Sequence, residues 1–61
     1  MNPEARKERL REQVQQYNDQ VRQGQKDQEY LNILRGMALT HAGNEGIEIT
    51  ENKDGTLSDD F

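Results

Sequence analysis

The apolar residues of this chain fall into three regimes, and each predicts a different element. From Leu10 they recur as Leu10, Val14, Tyr17 and Val21, in steps of four, three and four. The same alternation continues through Gly24 and Gln28 to Leu31. Every other position up to Glu29 is polar, with seven glutamines from Gln13 to Gln28. So narrow a stripe reads as the seam of a coiled coil, not as the face of a helix in a globule. From Tyr30 the stripe widens to Tyr30, Leu31, Ile33, Leu34, Met37, Ala38 and Leu39, which needs more than one neighbour to cover it. After Gly46 the period changes to two. Ile47 and Ile49 alternate with Glu48 and Thr50, and Leu57 and Phe61 follow Asn52-Lys53-Asp54-Gly55-Thr56.

Asn2-Pro3-Glu4 is a helix start: Asn2 suits the cap, Pro3 the first helical position and Glu4 the positive end of the helix dipole. The next strong stop is Ala42-Gly43-Asn44, where Gly43 can adopt the left-handed conformation that ends helices. These signals predict one long helix over 1–42, about 60 Å in length. Residues 3–29 form its coiled-coil stalk and 30–42 an apolar part facing a head. Gly24 is the weak point, since a mid-helix glycine costs about 1 kcal/mol against alanine. The alternative is a turn there, with Asp27 capping a second helix and the two folding back as a hairpin. The seam runs in phase through Gly24, which favours the continuous helix.

Residues 43–61 are predicted as an acidic β-hairpin, with a disordered acidic tail as the alternative. A type I turn at Asn52–Thr56, followed by Gly55 in the bulge position, sets the register. Ile47 then faces Phe61, Ile49 faces Asp59 and Glu51 faces Leu57. That register puts Ile47, Ile49, Leu57 and Phe61 on one side, which must dock on the wide stripe because a lone hairpin is marginal. The expected fold is mainly α: a long N-terminal coiled-coil helix, then a short C-terminal β-hairpin, in an oligomer.

Composition explains why an oligomer is expected. Of 61 residues only 30% are hydrophobic and 33% are charged, and there is no cysteine for a disulfide. A core borrowed from identical chains answers the shortage. The oligomer seam would be Leu10, Val14, Tyr17, Val21 and Leu31. Valine at two a positions leans toward a dimer, while Tyr17 and Gly24 at d positions leave a trimer open. Leu34, Met37, Ala38, Ile47, Ile49, Leu57 and Phe61 would pack the head or form the surface for another protein. The net charge of -4 divides unevenly: residues 1–42 sum to +1 and 43–61 to -5. That division excludes a uniformly basic, nucleic-acid-seeking surface. No apolar run suits a signal peptide or a membrane span, so a cytoplasmic protein is expected.

No residue pattern announces chemistry. His41, the one histidine, has no neighbouring nucleophile or orienting group in the sequence, and near a helix end it is expected to satisfy carbonyls or lie in solvent. Thr50–Gly55 resembles part of a calcium loop, but Thr50 and Phe61 stand where its first and twelfth acids belong, so turn chemistry is the better reading. The cluster Arg6-Lys7-Glu8-Arg9-Leu10-Arg11 interleaves bases with acids and reads as a salt-bridged helix face. No catalytic, cofactor-binding or metal-ligating residue is expected, and no cofactor.

These features point to a non-catalytic, homo-oligomeric coiled-coil assembly factor, chaperone or adaptor that binds another protein. The rival is a small acidic inhibitor or decoy occupying a basic groove on a host enzyme or nucleic-acid-binding protein. A polar coiled-coil helix, a short apolar cluster and an acidic end, with Leu31 to Ile49 reading as apolar helix, glycine and Ile-Glu-Ile, resembles the small coiled-coil tail-fibre assembly chaperones of tailed bacteriophages. The resemblance covers about a third of the chain and implies a viral assembly chaperone acting in the host cytoplasm. Ser58-Asp59-Asp60-Phe61 is similar to the acidic tip of bacterial single-stranded-DNA-binding proteins, without the Ile-Pro step before the phenylalanine, and carries no assignment.

Overall fold

The computed structural model describes residues 3–61 and holds two α-helices, α1 (Pro3–Arg22) and α2 (Gln28–Asn44), packed against each other. The cap expected at Asn2 lies outside the described residues. The single helix over 1–42 does not form. Gly24 adopts φ +79°, and its N–H donates to the Val21 carbonyl at 3.1 Å while the Gln25 N–H donates to the Gln20 carbonyl at 3.0 Å. This pair of bonds satisfies carbonyls left over at the end of α1, and glycine accepts the left-handed backbone it requires. Asp27 then caps α2, its carboxylate accepting from the Tyr30 N–H at 3.2 Å. Turn and cap chemistry override the in-phase spacing, because folding back lets the stripe bury itself against the same chain.

α2 ends by the same device, later than expected. Gly46, not Gly43, carries positive φ at +70°. The Gly46 N–H donates to the Gly43 carbonyl at 3.2 Å, and the Ile47 N–H to the Ala42 carbonyl at 2.9 Å. Gly43 lies within the last turn of α2.

The C-terminal β-hairpin is also not formed: among the described residues there is no strand, only one isolated antiparallel bridge, Glu51 with Leu57. The turn closes through Asn52 N–H to the Thr56 carbonyl at 2.7 Å, and Ser58 N–H donates to the Thr50 carbonyl at 2.9 Å. There the ladder stops. The Thr50 N–H, which would return the bond to the Ser58 carbonyl, goes to the Ser58 hydroxyl instead at 3.1 Å. The expected pairings of Ile49 with Asp59 and Ile47 with Phe61 are not made.

The two arms are held by the helices instead. Arg35 of α2 lies 3.2 Å from Glu51. On the other arm, the buried Asn18 carboxamide grips Leu57 twice. Its Nδ2 donates to the Leu57 carbonyl, and its Oδ1 accepts from the Leu57 N–H, both at 2.8 Å. The Tyr17 hydroxyl donates to the Gly55 carbonyl at 3.2 Å, and Arg11 donates to the Phe61 carbonyl while lying 5.4 Å from the ring centre.

One core results. Leu10, Val14 and Tyr17 of α1, Leu31, Ala38 and Ala42 of α2, and Leu57 are buried together, with Val21, Leu34, Ile47, Ile49 and Phe61 packed partly buried around them. The coiled-coil seam of Leu10, Val14, Tyr17, Val21 and Leu31 is therefore taken up inside one chain. No free stalk over 3–29 and no separate head over 30–42 exist, and residues 43–61 share the helices' core.

Candidate functional site

The wide stripe of α2 divides in two once α1 and the C-terminal arms are in place. Leu31, Ala38 and Ala42 turn inward and are buried, and Leu34 is half-buried beside them. Tyr30, Ile33 and Met37, spaced three and four apart on the outward side, stay exposed: 37%, 59% and 52% of their surface faces solvent. Between Tyr30 and Asn44 the only charged side chain is Arg35, which pairs with Glu51. α1, by contrast, exposes Glu4, Arg6, Lys7, Glu8, Arg9 and Glu12 within its first ten residues. In a chain one-third charged, an uncharged helix face carrying a large aliphatic group is the feature that most resembles a contact surface.

Ile33, Gly36, Met37, Thr40 and His41 line a shallow depression of about 510 Å3 with Gln13 of α1 on its rim. Its volume falls within the range of ligand sites and Asn32, Thr40 and Asn44 add polar side chains to the lining, but it is open to solvent and does not surround a small molecule with orienting groups. His41 does not serve as one. Its Nδ1 hydrogen-bonds Gln13 Oε1 at 2.8 Å, and Nε2 lies 3.8 Å from Glu45, so the ring fastens α1 to the end of α2. That placement corrects the expectation of end carbonyls or solvent.

Of the residues expected to pack the head or meet a partner, Met37 alone is fully at the surface. Ala38 and Leu57 are buried, and Leu34, Ile47, Ile49 and Phe61 are half-buried against the core. Tyr30 and Ile33 belong to the exposed face although only the breadth of the stripe signalled them.

The acidic segment is less available than its sequence suggests. Glu45 lies 3.9 Å from Arg6, and Glu51 pairs with Arg35. Asp54 Oδ1 accepts from both the N–H and the hydroxyl of Thr56. The Thr56 hydroxyl, and after it the Thr56 N–H, hold the Asp54 carboxyl below its usual value of 3.8. The same bonds account for the residues that resembled a calcium loop, and no cluster of three metal-ligating side chains occurs among the described residues. Nor, among them, is any helix long and apolar enough to cross a membrane. Compared with protein-family models, curated proteins and solved structures, the chain finds no match in any of the three.

Proposed function

We propose that this is a non-catalytic protein-binding module, an adaptor or assembly factor of the cytoplasm, whose contact surface is the outward face of α2. The observation that carries the reading is the exposure of Ile33 and Met37 on an uncharged helix face, in a helix that also leaves Tyr30 and Leu39 37% exposed, while the other large apolar side chains of the described residues pack in or against the core. The assembly role implied by the phage-chaperone resemblance is kept here without the coiled coil. The rival decoy reading draws on the exposed acids Glu48, Glu51, Asp54, Asp59 and Asp60; it is placed second because Glu45, Glu51 and Asp54 already have partners within the fold.

Binding by an apolar face survives salt, whereas binding by exposed charge does not. Immobilised chain is exposed to lysate of its source cells at low and high ionic strength, alongside an Ile33→Glu/Met37→Glu variant. Partners retained at high salt and lost from the variant support the reading. Partners lost at high salt, and sensitive to Asp59→Asn and Asp60→Asn instead, replace it with the acidic decoy.

A further inference from the structure

We propose that Asp54 is the residue at which this chain modifies itself, by slow isomerisation to isoaspartate, and that the buried Thr56 restrains the reaction in the folded protein. The inference concerns the turn between the C-terminal arms and does not depend on the α2 face. Asp54 is the one aspartate or asparagine of the chain that glycine follows. A glycine has no side chain to shield its amide nitrogen, so the Gly55 nitrogen can attack Asp54 Cγ and close a five-membered imide. The amide proton and the carboxyl hydroxyl leave together as water. Water then adds back at either imide carbonyl. Addition at the main-chain carbonyl of Asp54 leaves the chain linked through Cγ, which is isoaspartate. The mass is unchanged, and neither cofactor nor oxidant takes part.

The fold requires this reactive pair. Gly55 holds φ +90°, where a side chain is strained, and Asp54 Oδ1 accepts from the Thr56 N–H at 3.0 Å and from the Thr56 hydroxyl. The same bonds oppose ring closure. They hold the carboxylate toward Thr56, a residue only 1% exposed, although Asp54 itself lies at the surface. The Gly55 N–H donates to the Asn52 carbonyl at 3.1 Å, so the nitrogen that must attack is committed within the turn. Asn52 Nδ2 donates in turn to the Thr56 hydroxyl at 3.0 Å, and the Tyr17 hydroxyl holds the Gly55 carbonyl. The ring closes from the neutral acid, and Thr56 makes that form scarcer by holding the Asp54 carboxyl below its usual value. Cyclisation therefore waits for the turn to open. Once it has occurred, the main chain gains the Asp54 methylene, and Leu57 is moved out of register with Asn18.

The test incubates the folded chain, the same chain in guanidinium and three folded variants, all warm and at neutral pH. An isoaspartyl methyltransferase with a labelled methyl donor counts the product, and fragmentation mass spectrometry locates it. Isoaspartate should form first at Asp54, and about tenfold or more slowly in the folded chain than in the denatured one. Thr56→Val, which removes the hydroxyl and keeps the shape, should speed the folded reaction about fivefold, as the loss of one hydrogen bond allows. Thr56→Ser retains the hydroxyl and should age like the wild type. Ala38→Gly weakens the fold from within α2 and should speed the reaction less than Thr56→Val does. Separated by chromatography, the isoaspartate form should keep its mass and melt at a lower temperature. The proposal is overturned if the product forms first at another residue, or if folded and denatured chains age alike. It is overturned equally if Thr56→Val ages no faster than Ala38→Gly, or if the isoaspartate form melts like the starting chain. The comparison of folded with denatured wild type holds whether or not Thr56→Val folds.

Discussion

Asn18 lies 39 residues from Leu57 in sequence, and it gives Leu57 the two hydrogen bonds that a neighbouring strand would otherwise supply. Both groups are buried, so removing the carboxamide leaves a donor and an acceptor unpaired. Asn18→Ala should lower the unfolding free energy by about 1–3 kcal/mol in a denaturant titration. Asn18→Leu, which keeps the volume, should be destabilising as well; a Leu variant as stable as wild type would show that the bonds contribute nothing. Asp54 acts on the pH profile. Its folded carboxyl titrates below the unfolded value of 3.8, so its stabilising effect is fully present above that value and is lost as the pH falls through the folded one. Melting temperatures between pH 5 and 2 should therefore fall less steeply for Asp54→Asn than for wild type.

At the scale of elements, two glycines in or beside helices should answer alanine with opposite signs. Gly24 holds φ +79°, where a side chain is strained, and Gly24→Ala should destabilise by about 1 kcal/mol. Gly36 is an ordinary helical position, and Gly36→Ala should stabilise the fold by about 1 kcal/mol. Thermal melts of the two variants give the comparison. The same pair shows what local sequence can convey. Steps of four, three and four pick out Leu10, Val14 and Tyr17 as an inward face, but the spacing is blind to whether the covering surface belongs to the same chain. Gly24 and Asp27 carried the information for a turn in their own chemistry, and the in-phase seam argued against it. The alternation of Ile47, Ile49 and Leu57 shows which side chains turn inward. That Ser58 diverts a ladder bond and Asn18 claims Leu57 depends on contacts made only after the helices pack.

For the whole molecule, the C-terminal arms complete the core. Leu57→Ala, at a residue 2% exposed, should cost about 2–5 kcal/mol, whereas Ile33→Glu should leave stability unchanged. Chemical denaturation of both variants separates core from contact face. The breadth of the Tyr30–Leu39 stripe was legible in sequence, but which part of it stays exposed is decided by where α1 and the arms come to lie. The Asn18 grip has a further consequence for exchange with solvent. Leu57 sits in a segment without helix or strand, where backbone amides ordinarily trade their hydrogen for deuterium within moments. Its N–H, 2.8 Å from a buried carboxamide oxygen of α1, is released only when the arm lifts off that helix. Leu57 should therefore exchange far more slowly than other amides outside the helices, at a rate set by the lifting of the arm from α1.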